Sequence, residues 1–257
     1  MYDWPEVQGQ TDAFWARISP HLRELNPPSD LTRGGSLSAV WQHQDLVLGQ
    51  TCGLPLVRGE AGTAVPVARP TYPVEGCGPG TYSSVILARK RSGGVLDDFR
   101  GQRVAINGPD SQSGCNALRD YLRTLLSDGP FFSSAIITGS HRASATAVAE
   151  GRADLCALDA VAWQLYQDIE PVNAAKLMPI DWTRPMPSLP FITSAENADH
   201  LHTLRRALAE AATGAGPAIP NAILQARLSD YDPVRDMDLQ LGDVTLAQQS
   251  LNEPPPD

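Results

Sequence analysis

The sequence predicts an α/β protein, organised either as one large domain or as two lobes, and three observations carry that reading. The chain has 257 residues, more than one hydrophobic core ordinarily organises, so lobes of roughly 100 to 150 residues each are expected. Short apolar runs bounded by Gly and Pro alternate with amphipathic stretches along its length, the order in which largely parallel sheets are covered by helices on both faces. Its 42% hydrophobic and 19% charged residues are the ordinary mixture of a globular chain.

Taken in order, the strands are predicted at Asp45–Gln50, Ala64–Arg69, Ser84–Lys90, Arg103–Asn107, Ala135–Thr138, Asp154–Leu158 and Lys176–Ile180. Each is a short β-branched or aliphatic run between turn-forming residues. Helical patterns fall at Asp12–Leu25, Gly114–Leu126, Ala143–Glu150, Ala160–Gln167 and Ala198–Ala212. Trp4, Trp15, Trp41 and Trp163 are read as packing aromatics. The Pro-rich end, Asn252–Asp257, is expected to fray. No repeat at solenoid spacing is present.

Charge and composition exclude several function classes. A net charge of -9 opposes nucleic-acid binding, and no basic stripe with interleaved aromatics is found. No apolar run reaches the roughly 18 residues that span a bilayer, so a soluble protein without membrane insertion is expected. The opening Met1-Tyr2-Asp3-Trp4-Pro5-Glu6 has no basic and apolar signal-peptide pattern, which leaves a trimmed exported protein and a cytoplasmic one as the two readings. Cys52, Cys77, Cys115 and Cys156 form no C-x-x-C pair. Cys52 and Cys77 sit among turn residues where a disulfide is easily accommodated, and Cys115 and Cys156 read as core thiols.

The middle third carries the chemistry. Three strand-to-helix junctions follow one another: Asn107 to Gly114 after the strand at 103, Thr138-Gly139-Ser140-His141 after the strand at 135, and Leu158-Asp159-Ala160 after the strand at 154. A helix start offers unpaired amides and the positive end of its dipole, a ready place for an anion. In an open parallel sheet such junctions share the carboxyl edge, where ligands bind. Ser111, Ser113, Gly114, Ser140, His141 and Asp159 are therefore the candidate ligand residues, with Gly114 admitting a ligand to the backbone. Taken singly, Ser111, Ser113, Ser140 and Asp159 are more often helix caps than contacts. Tyr82, before the apolar strand Val85-Ile86-Leu87, is a seventh candidate, as a residue capping the ligand. His200 and His202 have no carboxylate at ligand spacing and no metal site is expected there. No nucleophile elbow, P-loop, H-E-x-x-H or G-x-G-x-x-G motif occurs, and His141 with Asp159 is the one acid/base pair that an enzyme could use.

Several strings together resemble one family. Ser111-Gln112-Ser113-Gly114, then Gly139-Ser140-His141-Arg142-Ala143-Ser144 with Ala147 to Asp154, and Ala157-Leu158-Asp159-Ala160-Val161-Ala162-Trp163 look like the phosphate/phosphite/phosphonate substrate-binding proteins of ABC transporters. Met1-Tyr2-Asp3, Gln50-Thr51-Cys52-Gly53 and Gly76 to Tyr82 resemble one branch of it. The resemblance implies a type 2 periplasmic-binding fold, with residues 1–83 and 184–257 in a first α/β lobe, residues 84–183 in a second, two chain crossings and a ligand cleft between the lobes. It further implies a non-enzymatic protein without cofactor, a small anionic ligand such as phosphate or a phosphonate, an ABC transporter permease as partner, and a periplasmic location. Relatives of the fold include enzymes, so an enzyme or a cytoplasmic sensor acting on a small anionic metabolite is the alternative.

Overall fold

Hydrophobic alternation along the chain resolves into two compact units, Met1–Tyr82 with Met186–Arg235, and Ser83–Pro185 with the stretch from Asp236 onward. The structure is a computed structural model and describes residues 2–90, 94–123, 125, 129–242 and 245–252.

In the first unit α1 (Gln8–Ile18), α2 (Leu37–Trp41), β1 (Gly49–Gln50), α3 (Gly53–Val57), β2 (Val65–Thr71), β3 (Cys77–Gly78) and β4 (Thr81–Tyr82) come from the first segment. The helix expected at 12–25 stops at Ile18 because Pro20 cannot continue the hydrogen-bond ladder, and two 3₁₀ turns follow. The strand expected at 45–50 is reduced to two residues. The Leu46 and Val47 carbonyls lie within 3.0 and 2.7 Å of the Thr193 hydroxyl, so a side chain takes the place of ladder pairing there.

The chain next supplies the second unit with β5 (Ser84–Arg89), β6 (Arg103–Ile106), a π-helical turn (Gln112–Asn116) running into α4 (Ala117–Leu122), β7 (Phe132–Ile137), α5 (His141–Glu150), β8 (Leu155–Asp159), α6 (Ala160–Ile169), α7 (Pro171–Ala174) and β9 (Leu177–Trp182). It returns to the first unit for β10 (Met186–Pro187), β11 (Phe191–Thr193), α8 (Leu201–Ala211) and β12 (Ala222–Gln225). The division of the two units falls within α9 (Asp232–Leu241), and β13 (Ala247–Asn252) follows.

The first unit holds a four-stranded sheet ordered β1-β11-β2-β12 and a three-stranded one ordered β10-β4-β3. Every pairing in them is antiparallel. This corrects the expectation of largely parallel sheets throughout, for β11 lies between β1 and β2, so no helical crossover joins adjacent strands as parallel pairing would require. Its core forms where Trp15, Ile18 and Leu22 meet Val67, Ala68 and the α8 stripe Leu204, Ala207, Leu208 and Ala211. That stripe follows the i, i+3, i+4, i+7 spacing of a half-buried helix. Trp15 and Trp41 are buried with their indole N–H groups on the Pro28 and Gln50 carbonyls (both 3.1 Å). Trp163 is buried against Tyr166 in the second unit, while Trp4 is only half-buried.

No disulfide joins Cys52 and Cys77, contrary to the accommodation the sequence suggested. Cys52 is buried at the start of α3, whereas Cys77 is held in a hairpin opposite Tyr82. Cys115 and Cys156 are buried thiols as expected, and burial pushes the Cys156 thiol well up.

The second unit is built on one six-stranded sheet in the order β13-β7-β6-β8-β5-β9. β6 runs parallel to both β7 and β8, β13 runs parallel to β7, and β5 is antiparallel to β8 and β9. Ile86, Val104, Ile106, Leu155 and Ala157 bury one face against Leu118 and Leu122 of α4 with Phe99, Phe131 and Phe132. Alternate residues Val85, Leu87, Ala105, Cys156 and Leu158 are equally buried on the other side, where α5 and α6 pack. Two covered faces explain why these strands read as continuous apolar runs. The assignment of all of 184–257 to the first lobe is corrected by β13, whose pairing with β7, Ala247 opposite Phe132, ties the C-terminal strand to the second unit. Of the tail expected to fray, Asn252 ends β13 and 253–257 lie outside the described residues, as does Leu126 of the helix expected at 114–126.

Because Leu118 is fully buried between α4 and this sheet, Leu118→Ala is expected to cost about 2 to 5 kcal/mol. Urea unfolding of both proteins, compared at equal slope, checks it.

Candidate functional site

Since β6 is parallel to β7 and to β8, the three carboxyl ends lie along one edge of the sheet, and the three junctions follow directly from them. The structure thus brings Ser111, Ser113, Gly114, Ser140, His141 and Asp159 to the same edge of the second unit. Tyr82 belongs to the first unit, almost fully buried in β4 opposite Cys77 and Met186.

At the first junction Ser111 is the N-cap. Its Oγ accepts from the Gly114 amide (3.0 Å) and its carbonyl from the Asn116 amide (3.0 Å), which opens the turn to the wider π form. A Cβ on Gly114 would stand 2.6 Å from the Asn107 side chain. The glycine is therefore required by Asn107, and the open approach to the backbone expected at this position is filled by that side chain. Asn107 also joins the first junction to the second. Its carbonyl accepts from the Gly139 amide (2.8 Å), and its Oδ1 accepts from the Ser144 hydroxyl (3.1 Å), itself 2.6 Å from the Thr138 hydroxyl.

Gly139 turns the chain at φ 82°, in the left-handed region that favours glycine. Ser140 then caps α5, its Oγ accepting from the Ala143 amide (3.1 Å). At the third junction Asp159, 1% exposed, caps α6 by accepting from the Val161 (2.8 Å) and Ala162 (3.2 Å) amides. Capping is thus the observed role of the Ser111, Ser140 and Asp159 side chains.

Ser113 does something else. It is buried, and its Oγ lies 2.9 Å from Nε2 of His141, across 28 residues of sequence. The His141 Nδ1 is shielded from solvent without a hydrogen-bond partner, and the ring lies near the backbone carbonyl of Ala157. Burial pushes the imidazole down to about 4, against a smaller upward pull from that carbonyl. It is a neutral ring at physiological pH.

Two residues that the sequence reading did not single out share this edge. Asn107 is one. The other is Ser84, which lies opposite Asp159 in the β5–β8 register, 1% exposed and with a buried Oγ that has no hydrogen-bond partner. Its strand start was legible, but the antiparallel direction that brings it to the carboxyl edge of β8 was not. Among the described residues no group of three or more His, Cys, Asp or Glu is arranged to hold a metal ion. Nor is any helix among them long and apolar enough to cross a membrane.

The comparisons agree with this architecture. The family described as "ABC transporter, phosphonate, periplasmic substrate-binding protein" matches residues 42–239. No curated protein matches the chain in sequence. Among solved structures, PhnD1 from Prochlorococcus marinus in complex with methylphosphonate superposes with a TM-score of 0.70 at 14% identity, covering 91% of this chain and 94% of that one. A binding-protein component of an ABC phosphonate transporter from Pseudomonas aeruginosa gives 0.67 at 16% identity, with coverages of 90% and 82%. A Xanthomonas citri protein solved bound to chloride gives 0.64 at 18% identity, with coverages of 91% and 96%. At these identities the likeness establishes the type 2 periplasmic-binding fold.

His141 makes a pH dependence that can be measured. Its folded pKa of about 4 lies below the ordinary value of 6.5, so between those values the unfolded chain binds more protons. Stability is full above about pH 6.5 and is lost as pH falls through 4, by on the order of 3 kcal/mol from this group. Urea unfolding at both ends of that window should show the loss in the parent protein, and His141→Gln should lack this share of it.

Proposed function

Because the chain belongs to the phosphonate family of ABC-transporter periplasmic substrate-binding proteins, we propose that it captures a small phosphate- or phosphonate-like oxyanion at the carboxyl edge of β6, β7 and β8. The observation that carries the reading is the meeting of three helix-starting junctions on one edge of one sheet. First-turn amides have no carbonyl partner within their own helix. Side-chain caps take those of Gly114, Ala143, Val161 and Ala162, and the amides nearest Ser113 and His141 are the donors a ligand oxygen would use. The dipole of α5 adds a favourable field for negative charge. In this proposal the overall negative charge of the chain matters little, since charges beyond about 8 to 10 Å are screened while the amides act at contact.

Binding proteins of this family work with transporters, and we assign the chain to the periplasmic step, with delivery of the captured anion to a membrane permease. The family is one of substrate-binding proteins, not enzymes, and the proposed role requires no bond-making step.

Phosphate, methylphosphonate and related oxyanions should raise the melting temperature, with about 2.7 kcal/mol of added stability at a hundredfold excess over Kd. Neutral sugars should not. Ser140→Asp keeps a good N-cap and leaves the fold intact, yet sets a fixed negative charge at the start of α5. Calorimetric titration should find its oxyanion affinity reduced about tenfold to a hundredfold. Unchanged affinity in the folded variant would remove this edge as the ligand site.

A further inference from the structure

Resting on the oxyanion reading, we propose that Ser84 is a further ligand residue, whose hydroxyl gives a ligand oxygen the hydrogen bond that the third junction cannot give from its backbone.

A helix start ordinarily offers its first amides to an anion. That of α6 has spent them. The Ala160 amide donates to the Ser83 carbonyl (3.2 Å), and the Val161 and Ala162 amides donate to the Asp159 carboxylate (2.8 and 3.2 Å). An oxyanion brought to this junction therefore meets a buried carboxylate, with the first-turn amides already taken. A side-chain donor beside Asp159 is what would hold it.

Ser84 stands there, opposite Asp159 in the β5–β8 register. Because the flanking Ser83 and Ala160 share a backbone bond, Ser84 and Asp159 form the close, non-hydrogen-bonded kind of pair, with Cα atoms about 4.5 Å apart and side chains on one face. Alternation along the strands fixes which face. Ile86 and its partner Ala157, each two residues away, pack with Cys115 of the π turn and Leu118 of α4. Ser84 thus belongs to the side of the sheet that carries the first junction.

Ser84 is 1% exposed, and its Oγ has no hydrogen-bond partner among the described residues. A hydroxyl brings one donor and two acceptor positions, and polar groups so buried are nearly always matched. Its backbone, by contrast, is tied on both sides. The Ser84 amide donates to Thr183 Oγ1 and the Ser84 carbonyl accepts from the Thr183 amide (both 2.9 Å), and Thr183 is itself buried. The hydroxyl is therefore held in place with its proton unspent on the protein, as a donor prepared for an arriving acceptor is.

Calorimetric titration of the full chain with methylphosphonate tests the assignment, with urea unfolding as the check on the fold. Ser84→Ala removes the donor without depriving another described residue of a partner, so its urea midpoint should match or exceed that of the parent. Its Kd for methylphosphonate should rise about tenfold or more. Ser84→Cys restores the volume but replaces the hydroxyl with a weak S–H donor, and should show most of the same loss. Parental affinity in either folded variant, while Ser140→Asp loses binding, overturns the assignment of Ser84 and leaves the oxyanion site standing. Failure of the parent protein to bind methylphosphonate or phosphate overturns the oxyanion reading and this inference together.

Discussion

The parallel pairing of β6 with β7 on one side and β8 on the other is the constraint on which the site depends. Val104 lies opposite Ala135 and also opposite Leu155, and with those registers set, the chain must leave all three strands at the same edge. Residues 111, 140 and 159 then become neighbours in space through backbone hydrogen bonding alone. Asn107 converts the adjacency into a fixed arrangement. It holds the Gly139 amide and the Ser144 hydroxyl and fills the space beside Gly114. A half-buried side chain so used is not easily replaced, because its removal leaves the Ser144 hydroxyl without this acceptor and opens the space beside Gly114.

Capping decides which groups remain for recognition. Ser111, Ser140 and Asp159 spend their side-chain oxygens on amides of their own helices, which stabilises each start by about 1 kcal/mol. Ser113 is the exception, turned away from the helix toward His141. Burial leaves that histidine neutral, so the pair is a polarised hydrogen bond and not an ion pair. Arg142, beside His141, is bonded to Glu170 (3.1 Å), so selectivity would then depend on donors and acceptors more than on an unpaired positive charge.

Much of the second unit was legible because its strands are buried on both faces and its helices begin at strong caps. Ser140 and Asp159 mark the starts of α5 and α6 by the ordinary N-cap rule. The C-terminal strand was not legible. Its sequence, Ala247-Gln248-Gln249-Ser250-Leu251-Asn252, has no apolar alternation, and it is a strand only because β7 offers it a partner. Nor does any local pattern announce the π turn, which requires the Asn116 amide to reach back five residues to Ser111. The Ser113–His141 contact depends on strand register, and Ser84 reaches the edge only because β5 runs against β8. In the first unit the alternation of strand and helix was read correctly in kind but not in direction, since antiparallel and parallel sheets are not distinguished by the pattern of one chain.

The central claim is that these junction amides receive the ligand, and backbone amide resonances report on it directly. In a titration of isotope-labelled protein with methylphosphonate, the account predicts that the largest shifts fall on the amides of Gln112, Ser113, Ser140 and His141, where hydrogen bonds to the anion would form. Saturable binding that leaves those amides unmoved while shifting another part of the chain would contradict it.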